Sequence, residues 1–115
     1  VIVDLGLVAP PPRSTSMFAA IVGVAERSTL VTRLCYLALA TAMELPVPDD
    51  VVVVTEPDRA LRKADVAAAF GVPVAAVRWD PAVARAVDSG LLSRRLPRSV
   101  SRIPLVEPAR PGATG

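Results

Sequence analysis

Four consecutive valines, Val51 to Val54, constrain the fold of this chain more than any other feature. A half-exposed antiparallel strand alternates apolar and polar residues, whereas an unbroken β-branched run suits a strand covered on both faces, as in parallel sheets. The Ala-rich stretch that follows carries Val66, Ala69 and Phe70 at helical spacing and stops at Gly71, the pattern of a crossover helix with a glycine stop. Pro73 to Arg78 supplies a second short apolar strand, so the whole makes one βαβ unit with an expected right-handed crossover. Asp80 is placed to N-cap a further helix, with Pro81 at its first position and an end near Gly90. Ligands of open α/β sheets bind beyond the carboxyl ends of the strands. That rule singles out two turns, Glu56 to Arg59 and Arg78 to Pro81.

The first half extends the alternation. Val1 to Leu5 reads as a buried strand ending near Asp4, whose carboxylate would reach a metal ion or phosphate at the sheet mouth, or else simply end the strand or cap a turn. Ala9 to Ser16, with three successive prolines, is a loop, from which Ser14 or Ser16 can cap a helix through Met17, Phe18, Ile21 and Val22. Ser28 to Thr32 is a second strand and Leu34 to Glu44 a second helix, with Cys35 and Tyr36 packed in or beside it. Leu45 to Asp50 is a turn rich in proline and acid. Strand and helix therefore alternate four times, which predicts an α/β fold with a mostly parallel sheet flanked by helices. Leu91 to Val106 sets leucines beside arginines. It reads as a short final helix packing on the sheet, or as a basic amphipathic surface for membrane or DNA phosphates, and Pro97 and Pro104 limit any helix there to about two turns on either side. Residues 1–106 form one expected domain, and Glu107 to Gly115 a disordered tail.

Composition removes several chemistries. With no histidine, the chain cannot build a Ser/His/Asp or Cys/His triad or a His-dependent zinc site. Cys35 is the single cysteine, which excludes a disulfide framework and a CxxC metal pair. Net charge is +2, too small to argue for nucleic acid by itself. The charge is unevenly placed: residues 1–90 hold eight basic and ten acidic side chains, and residues 91–115 five arginines and one glutamate. No apolar run approaches the roughly 20 residues of a membrane-spanning helix, and no secretory leader pattern occurs, so a cytoplasmic protein, peripheral at most to membrane or nucleoid, is expected.

Four stretches together resemble the deviant Walker A ATPases of the MinD/ParA type, in particular their CpaE-like branch. VIVDLG looks like the family's Walker B strand, and AERSTLVTR like the strand after it. VVVVTEPDR occupies the place of the strand ending near the adenine, and VAAVRWDPAVARAVDSGLL is similar to the family's strand, Pro-x-Asp turn and glycine-ended helix. The resemblance implies ATP and magnesium as cofactors of the full-length protein, with Asp4 holding magnesium through water. It also implies that Glu56, Asp58, Arg78, Trp79, Asp80 and Pro81 line the nucleotide base. ATP-dependent homodimerisation on a membrane surface, on nucleoid DNA or with a protein partner would follow, in cell-division site selection, chromosome partitioning or pilus and secretion localisation.

The departures are chemical. Glu56 stands where the family favours asparagine, and a carboxylate offers no amide N–H to a base. Arg78 stands where the family usually has proline, and Trp79 supplies a ring that can stack on a base or plug the core. No GxxxxGK[ST] or KGGxxKT-like loop occurs: the glycines are scattered at 6, 23, 71, 90, 112 and 115, and the only lysine, Lys63, falls inside the crossover helix. Without closely spaced backbone N–H groups and a lysine to wrap a triphosphate, this chain alone is expected to bind no ATP and to be inactive. The P-loop half is expected upstream of Val1. The alternatives are a degenerate, non-hydrolysing interaction module of the same fold, a Rossmann-like cofactor domain, although GxGxxG is missing too, and a DNA-binding module using Arg94, Arg95 and Arg98.

Overall fold

The valine run becomes the central strand of a three-stranded parallel sheet in a computed structural model that describes residues 1–8 and 17–101. Strand β1 (Thr29–Arg33) pairs with β2 (Asp50–Thr55) from Thr29 opposite Asp50 to Arg33 opposite Val54. Strand β3 (Val74–Arg78) flanks β2 on its other side, from Val51 opposite Val74 to Thr55 opposite Arg78. The order β1-β2-β3 moves in one direction across the sheet. Crossovers of one hand then bring both connecting helices to one face.

Packing agrees with that placement. Val51, Val53 and Val66 are sealed from solvent, and with Leu34 they form a core against which Leu30, Leu39, Leu61, Phe70, Val72 and Val74 pack. Leu39 belongs to α2 (Tyr36–Ala42), Val66 and Phe70 to α3 (Lys63–Phe70). Leu30, Val51 and Val74 are mutually in register, so one row of side chains crosses all three strands beneath the helices. The opposite face is covered unevenly. Its equivalent row runs from Val31, 66% exposed, through half-buried Val52 to buried Ala75. The four-valine run is therefore sealed on one face, where burial on both was expected.

Local chemistry sets the helix limits. Leu34 continues the sheet ladder, its N–H donating to the Val54 carbonyl at 3.1 Å. Helix α2 therefore starts only after Cys35, whose Sγ accepts from the Ala38 N–H at 3.4 Å as an N-cap. Helix α3 starts later than Ala60 because Asp65, in its first turn, reaches back to the Arg62 N–H at 2.7 Å. It stops at Gly71, whose φ of 67° is the left-handed conformation that favours glycine. Asp80 caps α4 (Pro81–Asp88), with Pro81 at the first position. After Pro97 only one helical turn, α5 (Arg98–Ser101), follows, and no continuous basic amphipathic helix forms among the described residues.

One expected strand is absent. Among the described residues Val1–Leu5 pairs with no strand, and Val1, Ile2 and Leu7 are fully exposed. A parallel strand is held by an edge partner together with a packed crossover helix. Here α1 (Met17–Val24) buries no residue, and Asp4 closes a turn by accepting the Gly6 N–H at 2.8 Å. The expected Ala9–Ser16 loop with its capping serines Ser14 and Ser16, the end of the Leu91 to Val106 stretch from Arg102 onward, and the expected tail Glu107 to Gly115 lie outside the described residues. Among the described residues no helix is long and apolar enough to cross a membrane.

Candidate functional site

Parallel pairing brings the carboxyl ends of all three strands to one edge of the sheet, and the side chains just beyond them meet there. Arg33 ends β1, Glu56 and Pro57 follow β2, and Trp79 follows β3; together they line an open cleft of about 420 Å³. The position of Trp79 is fixed by its backbone, whose N–H donates to the Thr55 carbonyl at 2.8 Å and extends the β2–β3 ladder by one residue. The residue is 58% exposed and lines the cleft, so it forms a wall and not a core plug.

Glu56 is the electrostatic centre. Its Oε1 accepts from Arg33 Nε at 3.0 Å and from Arg33 Nη2, and its Oε2 accepts from Arg59 Nε at 3.1 Å and Nη2 at 2.6 Å. Hydrogen bonds from Arg59 and then Arg33 hold this carboxyl below its usual range, and Glu56 raises Arg59 in return. Arg59 folds back three residues because the turn places Asp58 at φ 61°, a left-handed conformation that Asp tolerates better than most residues.

Comparison with family models, with curated proteins and with solved structures gives no match.

Of the residues singled out in the sequence, Glu56 and Trp79 line the cleft. Asp58 is exposed in the turn, and Arg78 is the last residue of β3, in register with Thr55. Asp80 is engaged in structure: it accepts from the Ala82 N–H at 2.9 Å and the Ser99 hydroxyl at 2.7 Å. Pro81 follows as the first residue of α4. Asp4 lies away from the cleft lining, bound to Gly6. No group of three or more His, Cys, Asp or Glu able to hold a metal ion occurs among the described residues. Arg33 was not singled out, and Arg59 only as the end of the Glu56 to Arg59 turn. The signal for Arg33 was its place just beyond the Ser28 to Thr32 strand candidate, and for Arg59 its spacing of three from Glu56.

The Asp80 contacts give a pH prediction. The Ser99 hydroxyl first, then the Ala82 N–H, hold its carboxyl below the usual range. A depressed folded-state value means that stability is fully present above the unfolded carboxylate pKa, about 3.9, and is lost as pH falls through the folded value. Asp80→Asn should therefore lower stability at neutral pH and flatten its acid dependence. Urea midpoints of both proteins from pH 7 down to pH 2.5 check this; parallel curves would refute it.

Proposed function

We propose that the carboxyl-end cleft is the base-binding corner of a nucleotide site, and that the chain is the C-terminal portion of an ATPase of the MinD/ParA type, CpaE-like branch, which it resembles. One observation carries the reading: an exposed Trp79 ring stands in a cleft at the carboxyl ends of three parallel strands, where α/β sheets receive their ligands. The resemblance supplies ATP and magnesium as ligands of the complete protein and homodimerisation as its consequence. The chain carries no glycine-rich loop with a lysine to wrap a triphosphate, so the reading assigns the cleft the ring of the ligand.

Trp79 is the only tryptophan, so its fluorescence reports directly on the cleft. Adenosine at millimolar concentration should quench it saturably. Stacking of a base on an aromatic ring contributes about 1–3 kcal/mol, so Trp79→Ala should weaken adenosine binding by roughly tenfold, read by calorimetry or ligand-observed NMR. Absence of saturable quenching, or binding indifferent to Trp79→Ala, would remove the nucleotide reading.

A second reading, a non-hydrolysing interaction module of the same fold, is favoured by Glu56. Both its oxygens already accept from arginines, and a carboxylate has no N–H to donate, so the residue at the family's base-contacting position offers a base no hydrogen-bond donor.

A further inference from the structure

The Arg33–Glu56–Arg59 cluster has a polarity that stabilisation of the fold does not explain. Exposed ion pairs contribute little to stability. This one joins the end of β1 to the turn after β2, in the wall of the cleft. Its layering is specific: the Glu56 side chain is 19% exposed, whereas those of Arg33 and Arg59 are 61% and 44% exposed. The carboxylate lies beneath and the two guanidinium groups face solvent. Two cations against one anion leave the cluster at +1.

Each guanidinium carries five N–H donors, and each spends only its Nε and Nη2 edge on Glu56. Their remaining donors meet no other protein acceptor among the described residues. Asp58, the other carboxylate of the turn, is exposed and bonds to neither arginine. Arginine forks match phosphate oxygens in pairs, and a fork already fixed by a partner loses less freedom on binding.

We propose that Glu56 is an internal counter-ion in an anion site built by Arg33 and Arg59, and that the cleft takes a phosphate ester whose flat ring lies on Trp79. Glu56 has two opposed effects on such a ligand: it pre-orders the arginines, and it repels and competes with the incoming phosphate. At short range the second dominates, because the repulsion acts on a dianion at contact distance. The inference rests on the reading of the cleft as a ligand site, but differs in making the anion and not the base the principal recognised group.

The test uses the full chain, with Trp79 fluorescence as readout and adenosine, AMP and inorganic pyrophosphate as probes. AMP should bind more tightly than adenosine, and the difference should shrink with added salt. Glu56→Gln, which removes one charge at contact distance while keeping the shape, should tighten AMP binding by about five- to tenfold more than it changes adenosine binding. Arg33→Ala should abolish the preference for AMP. Arg59→Gln, which keeps Glu56, should weaken AMP and provides an independent arm if Glu56→Gln fails to fold. Equal affinities for AMP and adenosine, or weaker AMP binding in Glu56→Gln, would overturn the counter-ion role. If adenosine binds while Glu56→Gln changes nothing, the base-binding corner stands and this inference falls. If pyrophosphate binds and tightens in Glu56→Gln while adenosine never binds, the anion site stands and the nucleotide reading falls.

Discussion

Asp50→Ala is expected to destabilise the protein by about 2–3 kcal/mol, with a lower urea midpoint and an unchanged slope. Asp50 opens β2 and is buried, yet it is fully engaged: its carboxylate accepts from Arg27 Nη2 and from the Thr29 hydroxyl at 2.6 Å. Asp49 reinforces the same junction by accepting the Ser28 N–H at 2.6 Å. These bonds tie residues 27–29 to residues 49–50 and so set the β1–β2 register, with Thr29 opposite Asp50. The expected loss falls below the 3–5 kcal/mol typical of breaking a fully buried pair, because Arg27 is 28% exposed and recovers water when its partner is removed. Asp50 is the more deeply buried partner. Arg27→Ala, which strands that carboxylate, should therefore cost at least as much as Asp50→Ala. Near-neutral values for both would show that the β1–β2 register is set by apolar packing alone.

That junction also marks a limit of reading the sequence. The parallel α/β class was legible because it is written locally: Val51–Val54 as an apolar run, Gly71 as a stop, Asp80-Pro81 as a start. Each is a preference of the backbone within a few residues of where it acts. The pairing of Arg27 with Asp50 joins positions 23 residues apart, and nothing at either position announces it. From sequence, Asp49 and Asp50 were simply the acidic end of a turn. The cleft was half legible for the same reason. Glu56 and Trp79 follow strands whose ends could be located, but Arg33 reaches Glu56 only because β1 and β2 run parallel in this register. Val1–Leu5 shows the converse: strand-like composition is a local property, whereas a strand also needs an edge and a packed crossover.

Val53→Ala and Val52→Ala should separate by more than a factor of two, although they are the same substitution at adjacent positions of one strand. Val53 is fully buried among Val51, Val66 and Leu34, whereas Val52 is only half-buried on the opposite face. Removing two buried carbons costs roughly 1.5 kcal/mol in transfer at about 0.8 kcal/mol each. The cavity adds to this where neighbours cannot collapse. For Val53 the walls are β2's own neighbours and a helix anchored by Val66, so the expected total is about 2–3 kcal/mol. For Val52 part of the surface is already wet and no sealed cavity forms, so about 1 kcal/mol is expected. A domain with so few sealed side chains has little stability to spare within the usual 5–15 kcal/mol, and Val66→Ala should match Val53→Ala because it empties the same space from the helix side. Urea unfolding of the three variants measures the difference. Equal losses at Val52 and Val53 would mean that a second layer covers the far face in solution, and exchange protection at Val31 would then rise with it.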